Sequence, residues 1–259
     1  MRLNLLRFCL SAVILCGTFV CVSAQADEVV VAVAANFTAP MQKIAQAFEQ
    51  DTVHKAKLVF GSTGKLYAQI KNGAPFAVFL SADDETPARL EKEGLAAIGT
   101  RFTYAVGRLA LWSRNPSLVD DKGQVLISNA SDKNSFKKLA IADPKLAPYG
   151  VAAMEVLKGT GALTQVAPKL VQGDSIGQAF QFVMTENAEL GFIALSQISI
   201  DGRITQGSAW VVPQNLYTPL KQDAVLLPLG KDNAAALALM TYMRTDRAQT
   251  IIRSYGYTL

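Results

Sequence analysis

From Asp27 onward the chain alternates between short apolar runs of strand length and stretches with helical spacing, and this alternation limits the folds open to it more than any single motif. Val29 to Ala35 is a nearly continuous, valine-rich run, the pattern of a strand buried on both faces of a parallel sheet. Met41, Ile44, Ala45 and Phe48 then recur at helical spacing behind Pro40. Lys57 to Phe60 reads as a strand, Leu66 to Ile70 as a helix stopped by Gly73, Phe76 to Ala82 as a strand, and Thr86 to Lys92 as a helix closed by Gly94. After a long apolar run from Thr103 to Trp112 and a polar stretch from Asn115 to Asn134, the alternation resumes. Strands are expected at Leu139–Ala142, Lys169–Gln172 and Leu190–Leu195, with helices at Val151–Leu157 and Ser175–Thr185 between them. A polar segment from Gly207 to Pro219 leads to a strand at Ala224–Leu227, and two helices, Ala234–Arg244 and Arg247–Tyr255, close the chain.

Two βαβα runs joined by a crossing strand predict an α/β protein of two similar lobes around a hinged ligand cleft. The first lobe is expected over 27–105, completed by about 223–259, and the second over 106–222. With 259 residues, half of them apolar and 18% charged, the chain has ample material for such cores.

Residues 1–26 read as a cleavable export signal. Arg2 and Arg7 precede an apolar stretch from Phe8 to Val22, short for a membrane span, and Ala24-Gln25-Ala26 supplies a small-x-small cleavage pattern. An uncleaved anchor fits less well, because polar and acidic residues follow at once. A lipoprotein signal fits poorly, because Leu15 and Val20 precede Cys16 and Cys21. All three cysteines (Cys9, Cys16, Cys21) fall in this segment, so the exported chain has no disulfide, thiolate metal site or cysteine nucleophile. With His54 as its one histidine, a transition-metal centre is not expected. The formal charge of +4 falls to about +2 without the signal, too weak and dispersed for a nucleic-acid surface.

Four strand-to-helix turns carry small or hydroxyl residues or a Pro-x-Gly turn: Ala35-Asn36-Phe37-Thr38, Gly61-Ser62-Thr63-Gly64, Pro148-Tyr149-Gly150 and Gly173-Asp174-Ser175-Ile176. In parallel sheets such turns gather at the carboxyl ends of the strands, where helix N-termini offer unpaired N–H groups and a positive dipole end to an anion. Taken singly, each has a plainer explanation: Asn36 or Thr38, Thr63 and Ser175 as N-caps, Gly61 and Gly64 as turn residues. Four together, in two lobes of an exported chain, favour ligand binding.

Enzyme signatures are scarce. Gly61 to Leu66 only partly mimics a nucleotide-binding loop: Val59 replaces its first glycine and Leu66 its magnesium-binding hydroxyl. No Gly-x-Ser-x-Gly or His-Glu-x-x-His occurs, and His54 lies in a polar stretch that suits a solvated side chain. Asp83-Asp84 suits a helix start better than acid–base work. Asn36-Phe37-Thr38 matches a glycosylation pattern but falls in a candidate ligand turn.

From about Val29 to its end the chain resembles the periplasmic molybdate-binding proteins, which have the type II periplasmic binding protein fold. The stretches that carry the resemblance are Val33–Phe37, Gly61–Ile70, Asn72–Asp83, Ala142–Gly150, Leu190–Phe192 and Tyr255–Tyr257. The resemblance implies capture of molybdate or tungstate for an ABC importer, with no catalysis and no cofactor. It further implies a periplasmic location, a membrane permease as partner, and a monomer. It places the tetrahedral dianion on Asn36, on Thr63 with Ser62 beside it, and on backbone donors at Tyr149 and Ile176. These residues are metal-binding only in the sense that they hold the molybdenum oxyanion. Some relatives add a tyrosine where this chain has Ala194, so either that hydroxyl is absent or Tyr149 supplies it. A fully deprotonated dianion needs only donors, whereas monoprotonated phosphate would seek an acceptor such as Asp174, read here as a helix-start acid facing away. The rival readings are the same fold with sulfate, thiosulfate or phosphate, an exported hydrolase, and a sensor domain.

Overall fold

The computed structural model describes residues 27–127 and 136–259. The export-signal reading of 1–26 and the end of the polar stretch, 128–135, lie outside the described residues.

The first sheet is built from β1 (Glu28–Ala34), β2 (Lys55–Gly61), β3 (Val78–Leu80), β4 (Phe102–Gly107) and β12 (Leu220–Leu226), in the order β2-β1-β3-β12-β4. The first three run parallel, and β12 enters antiparallel to both of its neighbours. Helices α1 (Thr38–Asp51), α2 (Thr63–Lys71) and α3 (Glu85–Lys92) follow β1, β2 and β3. The second sheet repeats the plan with β5 (Leu109–Ser113), β6 (Leu139–Ala142), β7 (Leu170–Gly173), β8 (Leu190–Ala194) and β11 (Ser208–Val211), in the order β11-β5-β8-β6-β7. Here β7, β6 and β8 are parallel, and β5 is the antiparallel intruder. Its helices are α4 (Pro148–Gly159), the short α5 (Leu163–Val166) and α6 (Ile176–Met184). A small hairpin of β9 (Ser199–Ile200) and β10 (Arg203–Ile204) follows, and α7 (Ala234–Tyr242) and α8 (Asp246–Ser254) close the chain.

The valine-rich start of the chain is the first sheet's central strand. Val29, Val31 and Val33 pack into the core shared with Phe48, Leu239 and Ile252, while Ala32 packs on the opposite face with Leu66, Ile70 and Leu90. Two apolar faces on one strand explain the unbroken hydrophobic run. The closing helices return to this lobe, where α7 buries Ala235, Ala236 and Leu239, and α8 buries Ala248 and Ile252. The second lobe has its own core around Trp112, Ile141, Val156 and Phe192.

Two expectations about the crossing need correction. The run from Thr103 to Trp112 is not one strand: β4 ends at Gly107, β5 begins at Leu109, and the two belong to different sheets. Hydropathy cannot reveal the break, because both halves are buried. The lobe limits also move, since Val106 and Gly107 pair with Lys221 and Leu220 of β12 in the first sheet. The changeover from second to first sheet therefore precedes Leu220 rather than Asp223. The strand expected at Ala224–Leu227 starts four residues earlier, its amino end masked in the sequence by the polar residues Lys221, Gln222 and Asp223.

Candidate functional site

The order of strands in each sheet puts β1 and β2 beside each other in one lobe and β6 and β7 beside each other in the other. Their carboxyl ends lead into α1, α2, α4 and α6, and the four turns meet at one small cavity between the lobes. Asn36, Ser62, Thr63, Tyr149 and Ile176 all line it, and none of its ten lining residues is charged. Beyond Thr63 and Ala147 the cleft widens into a groove lined by charges of both signs, among them Asp83, Arg89, Lys145 and Glu155.

The donors converge through helix geometry. Thr63 and Ile176 are the first residues of their helices and Tyr149 is the second. Such N–H groups have no acceptor within their own helices and carry the positive end of the dipole. Ser62 occupies the N-cap position of α2, yet its hydroxyl caps nothing. Its Oγ is buried and has no hydrogen-bond partner among the described residues. A buried hydroxyl in that state costs stability unless it meets a polar group.

The other hydroxyls and amides are engaged within the protein. Thr63 Oγ1 accepts the Ala82 N–H at 3.0 Å, tying the start of α2 to the end of β3. Ser175 is an ordinary N-cap, its Oγ accepting the Gln178 N–H at 3.3 Å, and Thr38 Oγ1 donates to Ala35 O at 2.8 Å. Asn36 is 2% exposed, which excludes it as a glycosylation acceptor. Its Nδ2 donates to Gln222 Oε1 at 2.9 Å and to Tyr257 Oη at 3.0 Å.

Tyr149 lines the cavity, but its hydroxyl turns away to accept from Gln222 Nε2 at 3.2 Å. It lies where a Cβ on Gly107 would come within 2.1 Å of it. The Tyr149 hydroxyl thus meets Gln222, and Ala194 is fully buried at the end of β8. Burial pushes the Tyr149 and Tyr104 phenols well above their usual range and Tyr257 up to about 12, so all three stay neutral around the cavity at ordinary pH.

The acids are placed away from the cavity. Asp174 forms an ion pair with Lys65 across the cleft, both side chains about half exposed. Asp83 accepts from the Thr86 N–H at 2.9 Å and from Thr86 Oγ1 at 3.0 Å, capping the start of α3. Burial raises its pKa against these bonds, which pull it down. His54 accepts the Asp27 N–H at 3.2 Å and stacks on Phe48, so it is tied to the lobe rather than freely solvated. Among the described residues, no cluster of His, Cys, Asp or Glu is arranged to hold a metal ion, and no helix is long and apolar enough to cross a membrane.

Several contacts join the lobes. The Gly64 N–H donates to Leu146 O at 2.9 Å, and Ser196 Oγ donates to Asn36 O at 2.8 Å. With the Lys65–Asp174 pair, they describe a closed cleft. Sequence reasoning missed Gln222, Tyr104 and Ser196. They lie outside the four turns, in strands or in a short helix after β8, and nothing local distinguishes them from ordinary core polar residues.

Residues 29–258 match the family described as bacterial extracellular solute-binding protein. The chain is 58% identical over 243 residues to the molybdate-binding protein ModA of Azotobacter vinelandii, covering 94% of each. It is 51% identical to the molybdate-binding protein ModA of Rhodobacter capsulatus, covering 90% of this chain and 89% of the other. The solved structure of the periplasmic molybdate-binding protein of Azotobacter vinelandii superposes with a TM-score of 0.84 at 40% identity, covering 89% of this chain and 99% of that one. With a family match over nearly all the described chain and two-lobed architecture to accompany it, the chain belongs to the bacterial extracellular solute-binding proteins, in the company of molybdate-binding members.

Proposed function

We propose that this protein captures molybdate or tungstate outside the cytoplasm and delivers it to the membrane permease of an ABC importer. The observation that carries the reading is the buried, unpartnered Ser62 hydroxyl at a cavity where helix N-termini from both lobes converge without a charged side chain. Such a site suits a tetrahedral anion that brings its own full charge and asks only for donors. The names of the relatives from Azotobacter vinelandii and Rhodobacter capsulatus support the choice of anion.

Ser62 Oγ and backbone N–H groups of the first turns of α2, α4 and α6 hold the oxygens, with Asn36 completing the set from the first lobe. Thr63 holds the loop that carries Ser62. Thr63 Oγ1 accepts the Ala82 N–H and so keeps its own proton for an anion oxygen beside Ser62. The chain acts as a monomer in the periplasm after loss of residues 1–26. Its closed cleft presents both lobes together to the permease.

Calorimetric titration of the purified protein with molybdate, tungstate, sulfate and phosphate tests the proposal. One-to-one binding of the first two with little response to the others is expected. Binding of sulfate or phosphate alone would keep the fold and change the ligand. Silence with all four would remove the oxyanion reading.

A further inference from the structure

Behind the cavity lies a buried polar network that spans both lobes. Gln222, wholly buried on β12, is its hub: Oε1 accepts from Asn36 Nδ2 at 2.9 Å and from Tyr104 Oη at 3.0 Å, and Nε2 donates to Tyr149 Oη at 3.2 Å. Asn36 Nδ2 spends its second hydrogen on Tyr257 Oη at 3.0 Å. An amide nitrogen has two hydrogens, so in this arrangement Asn36 has none left for an anion. Its side-chain oxygen makes no hydrogen bond among those of the described residues, and an oxygen facing a dianion repels it.

The same atom positions admit a second arrangement with both amides turned over. Gln222 Nε2 then donates to Asn36 Oδ1 and to Tyr104 Oη, while Tyr104 keeps its bond to Ser81 O at 2.8 Å. Tyr149 Oη, which only accepts in the first arrangement's Gln222 contact, now donates to Gln222 Oε1. Tyr257 Oη donates to Asn36 Oδ1 in place of its bond to Asn36 O at 2.9 Å, and Ser196 Oγ still holds Asn36 O at 2.8 Å. Every side-chain amide contact survives with its direction reversed, and the Asn36 NH2 group is released from Gln222 and Tyr257 at the cavity's edge. The two arrangements differ in what they offer a ligand: one presents an acceptor, the other two donors.

We propose that Gln222 is a positioning residue for the oxyanion, its amide fixing the orientation of the Asn36 amide so that the Asn36 NH2 group faces a fully deprotonated ligand. Resting on the oxyanion reading above, the proposal adds that the amide of a residue on β12 sets which end of Asn36 the ligand meets.

Neutron diffraction from perdeuterated crystals grown with tungstate separates amide nitrogen from oxygen and shows the deuterons directly. The expected result is Gln222 Nε2 facing Asn36 Oδ1, with Asn36 Nδ2 toward the anion. The anion bound with Asn36 Nδ2 directed at Gln222 and Tyr257 would overturn the proposal. In solution, Gln222→Met keeps length and neutrality but removes both ends of the amide. It should weaken tungstate roughly tenfold or more in a calorimetric titration, whereas Lys221→Met, on the exposed neighbour, should not. Unchanged affinity in a folded Gln222→Met protein would also overturn the proposal. If the unsubstituted protein binds neither molybdate nor tungstate, the oxyanion reading itself fails, an outcome distinct from tight binding that ignores Gln222.

Discussion

At the scale of single residues, Ser62 and Thr63 are neighbours with different work. Ser62→Ala removes a donor from the cavity and relieves a buried hydroxyl that the protein leaves unpaired. It should weaken molybdate or tungstate by about 1–3 kcal/mol while thermal stability without ligand holds or rises slightly. Thr63→Ala strips the Ala82 N–H of its acceptor. It should lower stability by about 1–2 kcal/mol and affect affinity less. Calorimetry and thermal melts on both variants decide the matter: a larger affinity loss in Thr63→Ala than in Ser62→Ala would make Thr63 the main ligand. Tyr257 offers a pH signature. Its folded pKa is raised from 10.0 to about 12, so between these values the unfolded state gives up a proton that the folded state keeps. Stability therefore falls as pH rises through that window, by ~1 kcal/mol per pH unit for this group. Melts of the native protein should decline more steeply from pH 10 to 12 than those of Tyr257→Phe, and parallel slopes would contradict the assignment.

At the scale of elements, the joint between β4 and β5 ties the hinge to the site. Gly107 ends β4, and a side chain there would intrude to 2.1 Å from Tyr149 Oη and 2.4 Å from Gln222 Nε2. Both groups are buried and hydrogen-bonded to each other, so neither can move aside cheaply. Gly107→Ala should therefore cost about 1–3 kcal/mol of stability and loosen oxyanion binding, read by denaturant unfolding and titration. A fully stable variant with native affinity would mean that the network is slack. Hydropathy placed strands on both sides of this joint without revealing it, because a turn made by one glycine and Arg108 leaves an apolar run looking continuous. The helices were easier to read: Met41, Ile44 and Phe48 on α1 are buried as their spacing required.

At the scale of the whole molecule, the polar contacts that join the lobes among the described residues include the Gly64–Leu146 and Asp201–Ser254 backbone bonds, the Ser196–Asn36, Tyr257–Ser196 and Gln222–Tyr149 bonds and the exposed Lys65–Asp174 pair. Exposed pairs of this kind contribute ~0–1 kcal/mol and weaken with salt. A ligand touching both lobes adds to closure what these contacts do not supply. Removing it should open the cleft, seen as a larger radius of gyration in X-ray scattering. Restoring it at about a hundred times its dissociation constant should raise stability by ~2.7 kcal/mol. Identical scattering with and without ligand would leave no role for hinge closure.

Local patterning in the sequence already determined the α/β class, the two repeats, the strand cores and the four turns where helices begin. Each of these depends on residues close together in the chain, whose periodicity and turn chemistry act at short range. The tertiary structure alone decided which hydroxyl stays unpaired and which is used internally. Ser62 and Thr63 look alike in the sequence, and only the approach of Ala82, just beyond β3, gives Thr63 Oγ1 a donor while Ser62 Oγ is left without a partner. It alone also brought Gln222 and Tyr257 behind Asn36, 186 and 221 residues away along the chain. Hydrogen bonds over such separations leave no periodic trace, because one buried polar residue in an apolar strand reads the same whether it braces a core or orients a binding site.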